Sequence, residues 1–434
     1  MTSPTAFSQY KIMHLFNLST LRQRFPALQS RDFLIFWLGQ FISLIGTWMQ
    51  STTLPYLAYR LSGRPFDLGL IGFASTLPAL FLAIPAGVFV ERLDKRKTVI
   101  YMQTCMMLLA FLLAYLTLSG YIQIWHIWMI AFGLGILNAM EITARQAMLI
   151  ELVGRQALPN AIALQATIFN AARVLGPSLV APFLIFIKSG GEGWAFFANG
   201  VSFLFVIIGL FFVQTHPIVQ PEEKKHQGFW KELQEGLTYI ARTPSISLLI
   251  LMATVVGFFG FPLVQQIPVV ARDILAQMGD TEAAVAARNS LLYTFQGIGA
   301  LIAALSLSVF NPAQKGRLLT AGQLALIFGI LALSIVRSAP LAYSLLLIIG
   351  WGMVTQMATM NTLIQLLVDN RLRGRVFSVY LWALQGIAPF GSLTIGSMTQ
   401  NWGLPRAALI SGFICLILIG GLHLARPALH QTIT

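Results

Sequence analysis

The chain has 434 residues, of which 56% are hydrophobic and only 10% charged, whereas about a quarter of the residues in soluble domains are charged. So little charge excludes a water-soluble globular protein and indicates a chain whose apolar side chains face lipid. The net charge of +13 does not indicate nucleic-acid binding, because Lys and Arg lie mainly in alternate short connections between apolar runs, the positive-inside pattern of membrane proteins.

The chain begins with a polar, basic stretch, residues 1–32, which lacks the continuous apolar core of a cleavable signal peptide. A weakly amphipathic helix around 10–25 is compatible with it. Apolar runs long enough to cross the ~30 Å hydrocarbon core then recur as far as residue 425. We therefore predict an all-α membrane protein with twelve transmembrane helices. The predicted spans are 33–58, 67–90, 98–118, 122–145, 159–187, 194–213, 245–270, 287–309, 318–336, 340–367, 373–399 and 405–425.

One long, charged connection, residues 214–244, divides the predicted spans into two equal sets. Apolar side chains in it recur at helical spacing, which predicts an amphipathic surface helix: Phe229, Trp230, Leu233, Leu237 and Ile240. A plain linker helix accounts for the same pattern. The prediction is an N-terminal six-helix bundle, 33–213, and a C-terminal six-helix bundle, 245–434, joined by this linker.

The basic residues predict the orientation in the membrane. The N-terminal segment, the linker and the connections on the same side are roughly threefold richer in Lys and Arg than the opposite connections, so this side is predicted to face the cytoplasm. An even number of spans then places both termini in the cytoplasm. The predicted location is the plasma (inner) membrane.

The connection between the second and third predicted spans carries the most specific motif. It consists of a glycine, three further residues, an acid and a basic cluster that contains a second acid: Gly87, Glu91, Arg92, Asp94, Lys95, Arg96 and Lys97. The motif resembles the signature loop of the major facilitator superfamily. The form with two acids is similar to the branch that contains enterobactin-exporter-like and drug:proton antiporters, although Glu91 replaces the usual aspartate.

A second stretch strengthens this resemblance. Arg145 to Arg155, Pro159-Asn160-Ala161, and Asn170 to Pro177 run through the fourth and fifth spans and are similar to the same branch. Gly176 and Pro177 match its antiporter-like element, although Val180-Ala181-Pro182 stands where that element usually has a glycine pair. The resemblance implies the major facilitator fold, a central cavity between the bundles, and a cytoplasmic gate motif formed by Gly87, Glu91, Arg92, Asp94, Arg96 and Arg145.

Two charged positions inside the spans require an explanation. Arg173 lies near the predicted midplane, where an arginine costs at least ~2.5–3.5 kcal/mol unless it faces a partner or a wet cavity. We expect it to line the central cavity near Asn170 and Gln50, or to bridge helices. Glu141 and Arg145 are four residues apart in the favourable order for a helical ion pair. Glu141 is the candidate for proton coupling, and the alternative is an interfacial pair that holds the gate motif.

Neutral polar and aromatic residues in the spans complete the candidate cavity. Those predicted to line the cavity or contact substrate are Trp48, Gln50, Asn138, Asn170, Gln265, Gln266, Tyr293, Gln356 and Asn361. The major facilitator resemblance places the first, fourth, seventh and tenth spans around this cavity. Interhelical hydrogen bonds, worth about 0.6 kcal/mol each, are the alternative role for a third or more of such residues.

The sequence lacks the patterns expected of an enzyme or a pump driven by ATP. The six histidines are scattered, none has metal-ligand spacing, and there is no phosphate-binding glycine loop with its lysine. The two cysteines lie in separate apolar runs and imply no disulfide framework. We therefore expect no catalytic residues, no metal site and no cofactor, with a proton gradient as the energy source.

These observations favour a secondary active transporter. The interpretation is a proton-coupled exporter of a small amphipathic compound, siderophore-like or drug-like, that works by alternating access. A lipid or lysolipid flippase or an uptake symporter on the same fold is the alternative, and a membrane-embedded enzyme or a non-transporting scaffold belongs to a different class. The expected partners are a small-molecule cargo and the lipid bilayer, without nucleic acid, and the expected oligomeric state is a monomer.

Overall fold

The computed structural model describes residues 25–186, 190–215, 229–309, 315–369 and 372–425, and the elements in these ranges are helical. Part of the predicted N-terminal segment, including the amphipathic helix expected around 10–25, lies outside them up to residue 24. Part of the linker also lies outside, residues 216–228. Side chains are also not described at residues 83–89, 91, 92, 183–186, 229–232, 308 and 309, which include Gly87, Glu91 and Arg92 of the gate motif and Phe229 and Trp230 of the predicted amphipathic face.

The helices follow the predicted spans closely. Before the linker they are α1 Arg31–Ser62, α2 Pro65–Arg92, α3 Lys95–Leu118, α4 Ile124–Phe186 and α5 Gly191–Phe211. The linker contributes α6 Phe229–Arg242. After it come α7 Pro244–Ile274, α8 Glu282–Val309, α9 Lys315–Leu333, α10 Ala339–Leu367, α11 Arg373–Trp402 and α12 Leu404–Ala425. We call α1–α5 the first half and α7–α12 the second half.

Short-range capping explains where several helices begin. The Ser30 hydroxyl accepts a hydrogen bond from the Phe33 amide at 3.2 Å, and Asp94 accepts one from the Lys97 amide at 3.0 Å. Such side-chain caps satisfy amides that have no partner within the helix. The start of α2 has Pro65 in its first turn, where the missing amide proton costs nothing.

Helix α4 contains a reversal at one residue. It is 63 residues long, and Gly154 inside it has φ 72° and ψ 171°, a conformation that in practice only glycine adopts. Gly154 separates a first limb from a second limb, and each has roughly 30 residues, which is enough to cross a bilayer. Among the described residues eleven helices are long and apolar enough to span a membrane, with α4 counted once. The total of twelve spans stays a prediction.

Helices α7 and α11 are irregular near their middles. In α7 the residues Val256–Gly260 form a π-helical turn. The helix is then interrupted at Gln265 and Gln266, which lie between Pro262 and Pro268. In α11 a π-helical turn covers Trp382–Gly386, just before Pro389. Proline removes a backbone donor, so such interruptions are expected beside it.

The two halves use the same helix pairings. In the first half α2 packs on the first limb of α4, and α1 packs on the second limb. In the second half α8 packs on α10, and α7 packs on α11. Glycines make these crossings close. A Cβ on Gly135 would lie 2.5 Å from the Ser75 carbonyl, and one on Gly350 would lie 1.9 Å from the Gln296 carbonyl. Small residues at crossings are typical of helix packing in membranes.

Two seams join the halves. The second limb of α4 packs on α8, and α2 packs on α11. A Cβ on Gly297 would lie 2.7 Å from the Arg173 carbonyl, and one on Gly69 would lie 2.4 Å from the Ser392 carbonyl. The protein has two ends along these seams. We call the end that carries α6 and the α2–α3 connection the linker end, and the end that carries the α1–α2 and α7–α8 connections the far end.

Large apolar side chains are exposed along the helices. Examples are Phe81, Phe211, Phe328 and Ile417. A soluble monomer rarely exposes so much contiguous apolar surface, and a bilayer accounts for it because lipid tails solvate such side chains. The protein is therefore a multi-pass membrane protein whose outer surface is in contact with lipid.

Candidate transport site

Arg173, the arginine predicted to lie near the midplane, is placed where three helices meet. The Arg173 guanidinium carbon is 5.5 Å from the centroid of the Trp48 ring on α1, a cation–π distance. Trp48 also meets Phe169 edge to face at 5.5 Å. The backbone of Arg173 faces Gly297 of α8 at the seam between the halves. The half-buried Arg173 side chain thus carries a charge near the middle of the second limb of α4, beside aromatic rings.

The guanidinium of Arg173 is incompletely satisfied. Its Nε is buried and has no hydrogen-bond partner, and the ion pairs that the structure describes do not include it. A buried donor without a partner costs about 1–3 kcal/mol. This site is therefore suited to bind a ligand that carries a hydrogen-bond acceptor or a negative charge.

The antiporter-like element sets how closely α1 approaches α4. A Cβ on Gly176 would lie 2.5 Å from the Trp48 Cβ and 2.9 Å from the Ile45 carbonyl. The corresponding crossing in the second half is formed by Gly391, where a Cβ would lie 2.2 Å from the Phe258 carbonyl. Pro177 lies inside the second limb beside Gly176. Together they hold Trp48 against the helix that carries Arg173.

Three polar residues predicted to line the cavity have different surroundings. Gln50 is buried, and its Oε1 accepts a hydrogen bond from Asn199 Nδ2 of α5 at 2.8 Å. Asn170 donates to the Ala166 carbonyl of its own helix at 2.8 Å. Asn138 is exposed on the first limb of α4. The expected grouping of Gln50 with Arg173 is thus replaced by a bond inside the first half, because Gln50 lies on the face of α1 that meets α5.

The interruption in α7 places Gln265 at the contact with α2, and Gln266 follows it. Gln265 packs so closely on Gly72 of α2 that a Cβ there would lie 1.8 Å from its Oε1, and this Oε1 has no hydrogen-bond partner. Gln266 is buried, and neither of its side-chain polar atoms has a partner. These unsatisfied amides lie where the backbone of α7 is broken, so the second half also contributes polar groups near the seam.

The remaining candidates of the second half are dispersed. Tyr293 is buried in the apolar core. Gln356 is 1% exposed, and its polar atoms have no partner; its backbone packs on Gly322 of α9, away from the seams. Asn361 accepts a hydrogen bond from Gln365 on the same helix. Among the contacts of the described residues, none joins the side chains of these residues to Arg173, and their role in the cavity stays a prediction.

The proton-coupling candidate has a complete set of partners. Glu141 is 4% exposed, and its Oε1 accepts hydrogen bonds from Gln103 Nε2 at 2.9 Å and from Arg145 Nε at 3.0 Å. The expected helical pair of Glu141 and Arg145 is thus formed in the structure. Gln103, on α3, was absent from the sequence-based candidates, since nothing in the spacing reveals which helix faces Glu141.

The described part of the gate motif is bound within the first half. Asp94 caps α3, and Lys95 pairs with the buried Glu151 of α4 at 3.3 Å. Arg96 donates to the Leu210 carbonyl at 2.8 Å and to the next carbonyl of α5. A cation at a helix C-terminus is favourable because it meets carbonyls that have no partner in the helix. We expect the acids of the motif to contact Arg145 or the start of α11 only in the conformation that is open at the far end, and this contact stays a prediction.

The far end contains polar contacts that the sequence did not predict. The Tyr56 hydroxyl lies 3.1 Å from the backbone oxygen of Glu282 and 3.2 Å from its Oε2, and the Tyr59 hydroxyl donates to Asp273 Oδ2 at 2.5 Å. Deeper in the protein, Asn289 Nδ2 donates to the Thr52 carbonyl at 3.2 Å. Each of these bonds joins the first half to the second. The helical spacing of 52, 56 and 59 was the available signal.

The α7–α8 connection is ordered by its own ion pair. Asp280 accepts hydrogen bonds from the Gln277 amide and from Arg288, and these donors lower its pKa from the ordinary value. Thr281 caps α8 by accepting a bond from the Ala284 amide at 3.2 Å. This connection presents Glu282 to α1 at the far end.

Comparisons with known proteins agree with this architecture. The chain is 25% identical to the staphyloferrin A transporter of Staphylococcus aureus over 404 residues, which cover 90% of this chain and 94% of that protein. It is 22% identical to the enterobactin exporter EntS of Shigella boydii, with 93% and 92% covered. The match to the uncharacterized MFS-type transporter YfiS of Bacillus subtilis, 23% identical, spans 65% of this chain and 61% of that protein.

A solved structure shows the same fold. A bacterial homolog of the human lysosomal transporter Spinster, in an inward-facing and unoccupied conformation, superposes with a TM-score of 0.65 at 17% identity and covers 93% of this chain and 98% of its own. The family model described as transmembrane secretion effector matches residues 23–432. The chain therefore belongs to this family of major facilitator superfamily transporters.

Proposed function

We propose that the protein is a secondary active exporter of a small amphipathic compound, siderophore-like or drug-like, coupled to the proton gradient and working by alternating access. The observation that carries the proposal is the incompletely satisfied Arg173 beside Trp48 at the seam between the halves. Such a group provides a positive charge and an aromatic face near the middle of the second limb of α4, at the seam between the halves. Both are suited to an amphipathic cargo with an acidic or polar group.

The fold supports transport rather than a purely structural role. Both seams between the halves cross at glycines, where helices meet through backbone atoms, and hydrogen bonds join the halves at the far end beside apolar contacts. Hydrogen bonds of this kind exchange with water when the contact separates. These exchangeable bonds support a design in which the halves separate at the far end.

The names of the relatives support the cargo class. One relative is named for staphyloferrin A and another for enterobactin, and we extend to this chain only the class of small siderophore-like compounds. Export, proton coupling and a monomeric state belong to the same proposal. So do a plasma (inner) membrane location and cytoplasmic termini, which follow from the basic residues near the linker end.

The test is transport into proteoliposomes with and without an imposed pH gradient. The probes are iron-free staphyloferrin A and enterobactin as acidic compounds and ethidium as a cationic one. We expect uptake of an acidic probe that is stimulated by a gradient with the acidic side opposite to the linker end. Equal uptake by protein-free vesicles, or transport that ignores the gradient for every probe, contradicts the proposal.

Substitutions of Arg173 test the site itself. Arg173→Ala removes the charge, and we expect transport to fall to the background while expression and folding are retained. Arg173→Lys keeps the charge but loses the planar fork, so we expect poor rescue. Arg406→Ala, at an exposed arginine on α12, is the matched control and should transport normally. Normal transport by Arg173→Ala would show that the site is elsewhere.

A further inference from the structure

One face of α1 carries every hydrogen bond described above between α1 and the second half. Thr52, Tyr56 and Tyr59 are spaced by four and three residues, so they lie on one side of the helix. Their partners are Asn289 and Glu282 of α8 and Asp273 at the end of α7. The stripe extends over about 10 Å along the helix axis at ~1.5 Å per residue.

One of the two acceptor acids, Glu282, is held in position by an ion pair. Glu282 receives two hydrogen bonds from Arg272, at 2.9 and 3.0 Å, in the bidentate geometry that fixes a carboxylate in position. Arg272 lies in the same half as Glu282, so this ion pair does not cross between the halves. It leaves Oε2 of Glu282 within reach of Tyr56. Arg272 is therefore a positioning residue for the contact with α1.

The donors from α1 are uncharged phenols. The Tyr56 hydroxyl bonds to a carboxylate that is already paired with Arg272. It therefore adds a charge-assisted hydrogen bond without burying a charge that has no counter-charge. Both tyrosines are also almost fully buried, at 1% and 3% exposure. Their hydroxyls lose these partners if α1 moves away from α7 and α8, and they regain equivalent bonds from water only when the far end is open.

We propose that Tyr56 and Tyr59, with Glu282 and Asp273, form a hydrogen-bonded latch that holds the far end closed and is released when the far end opens. We call these four residues the tyrosine latch. The proposal depends on the proposed function only in that the far end opens during transport. Trp48 lies one helical turn before Thr52, on the same stripe, so the latch is on the helix that also contacts Arg173.

The test measures distances between the halves with spin labels. Cys105 and Cys415 are first replaced by alanine, and labels are attached at Arg64→Cys and Met278→Cys, two exposed positions at the far end. A second pair, Gln156→Cys and Asp369→Cys, reports the linker end. The latch variant is Tyr56→Phe with Tyr59→Phe, which removes the hydroxyls and retains both rings.

We expect each lost hydroxyl to shift the ratio of far-end-open to far-end-closed molecules by about tenfold, because a hydrogen bond to a charged group is worth about 1.5–3 kcal/mol. The far-end distance should lengthen while the linker-end distance shortens. Tyr56→Phe and Tyr59→Phe alone should each give a smaller shift, which keeps the test decisive if the double variant folds poorly.

Two controls separate a latch from a general loss of structure. Tyr115→Phe changes an exposed tyrosine of the first half, and Gln123→Ala removes the hydrogen bond that Gln123 accepts from Trp125, which lies at the far end but within the first half. Both should leave the distances unchanged. Unchanged distances in the latch variants, or equal shifts in the controls, would overturn the proposal. The measurement needs no cargo, so a failed transport screen leaves its outcome interpretable.

Discussion

The two ends of the protein use their polar residues differently. At the far end, Tyr56 and Tyr59 of the first half bond to acids of the second. At the linker end, Lys95 pairs with Glu151 inside the first half, and Glu235 of α6 pairs with Arg375 of α11, beyond the linker. The far-end bonds hold the halves together, whereas the linker-end bonds stabilise each side separately. The structure is therefore the conformation closed at the far end.

The largest expected effect comes from Lys95, and it tests whether the linker end is stabilised separately from the far end. Glu151 is buried, and Lys95→Met leaves its carboxylate without the ion pair, which costs about 3 kcal/mol when a buried partner is removed. We expect a large loss of unfolding free energy in detergent without a change in the far-end distance. Lys97→Met, at an exposed lysine of the same loop, is the control and should cost under about 1 kcal/mol. A shifted far-end distance in Lys95→Met would show that the two ends are not separate.

The seam between α2 and α11 offers the next largest effect. Gly69→Val places atoms against the Ser392 carbonyl and the Gly396 backbone, and overpacking of this kind costs about 1–3 kcal/mol. We expect lower stability and a longer far-end distance. The control is Gly420→Val on α12, which makes the same change in helix propensity but has open space around the new side chain. It should leave the far-end distance unchanged. Equal behaviour of the two variants would contradict a seam at Gly69.

The next prediction concerns Glu141 and is measured through transport rather than through stability. Glu141→Gln keeps the shape and most hydrogen bonds with Gln103 and Arg145 but removes the charge. If this carboxylate carries the coupled proton, the stimulation of transport by a pH gradient should fall severalfold, equivalent to roughly 1 kcal/mol. The control is Asp369→Asn, an exposed acid at the linker end. Unchanged stimulation would leave Glu141 a structural acid.

The smallest effect concerns pH and the far-end connection. The pKa of Asp280 is below its ordinary value of 3.8 because the Gln277 amide and Arg288 donate to the carboxylate. A lowered pKa stabilises the folded state above the ordinary value, and this contribution is lost as the pH falls through the folded-state pKa. The melting temperatures of the protein and of Asp280→Asn should therefore differ slightly at neutral pH and converge only as the pH falls below 3.8 and through the lowered pKa of Asp280. A difference that persists in acid would exclude this origin.

The sequence predicted individual helices better than contacts between them. Apolar length located the spans, and periodicity located α6, because both depend only on neighbouring residues. The conformation of Gly154 and the interruption of α7 at Gln265 were not predicted. Helical reversals and breaks of this kind depend on what packs against the backbone, and apolar length does not report that.

The candidate site was predicted in part. The exceptional cost of an arginine at the midplane identified Arg173, whose contact with Trp48 joins two of the predicted residues. Partners distant in the chain were missed, such as Asn199, which bonds to Gln50 across 149 positions. A polar residue inside a span indicates that a hydrogen-bond partner is required. Which residue serves as that partner depends on the rotation of each helix about its axis.

The reversal at Gly154 has a mechanical consequence. Because the two limbs of α4 are joined at a single residue, with no loop between them, the joint has no slack. The first limb carries Glu141, and the second carries Arg173. If one limb shifts along its axis, the other limb must shift with it. Glu141 and Arg173 are therefore coupled through the backbone as well as through any electrostatic interaction between them. Lengthening the joint by a few glycines would release this constraint without altering any side chain.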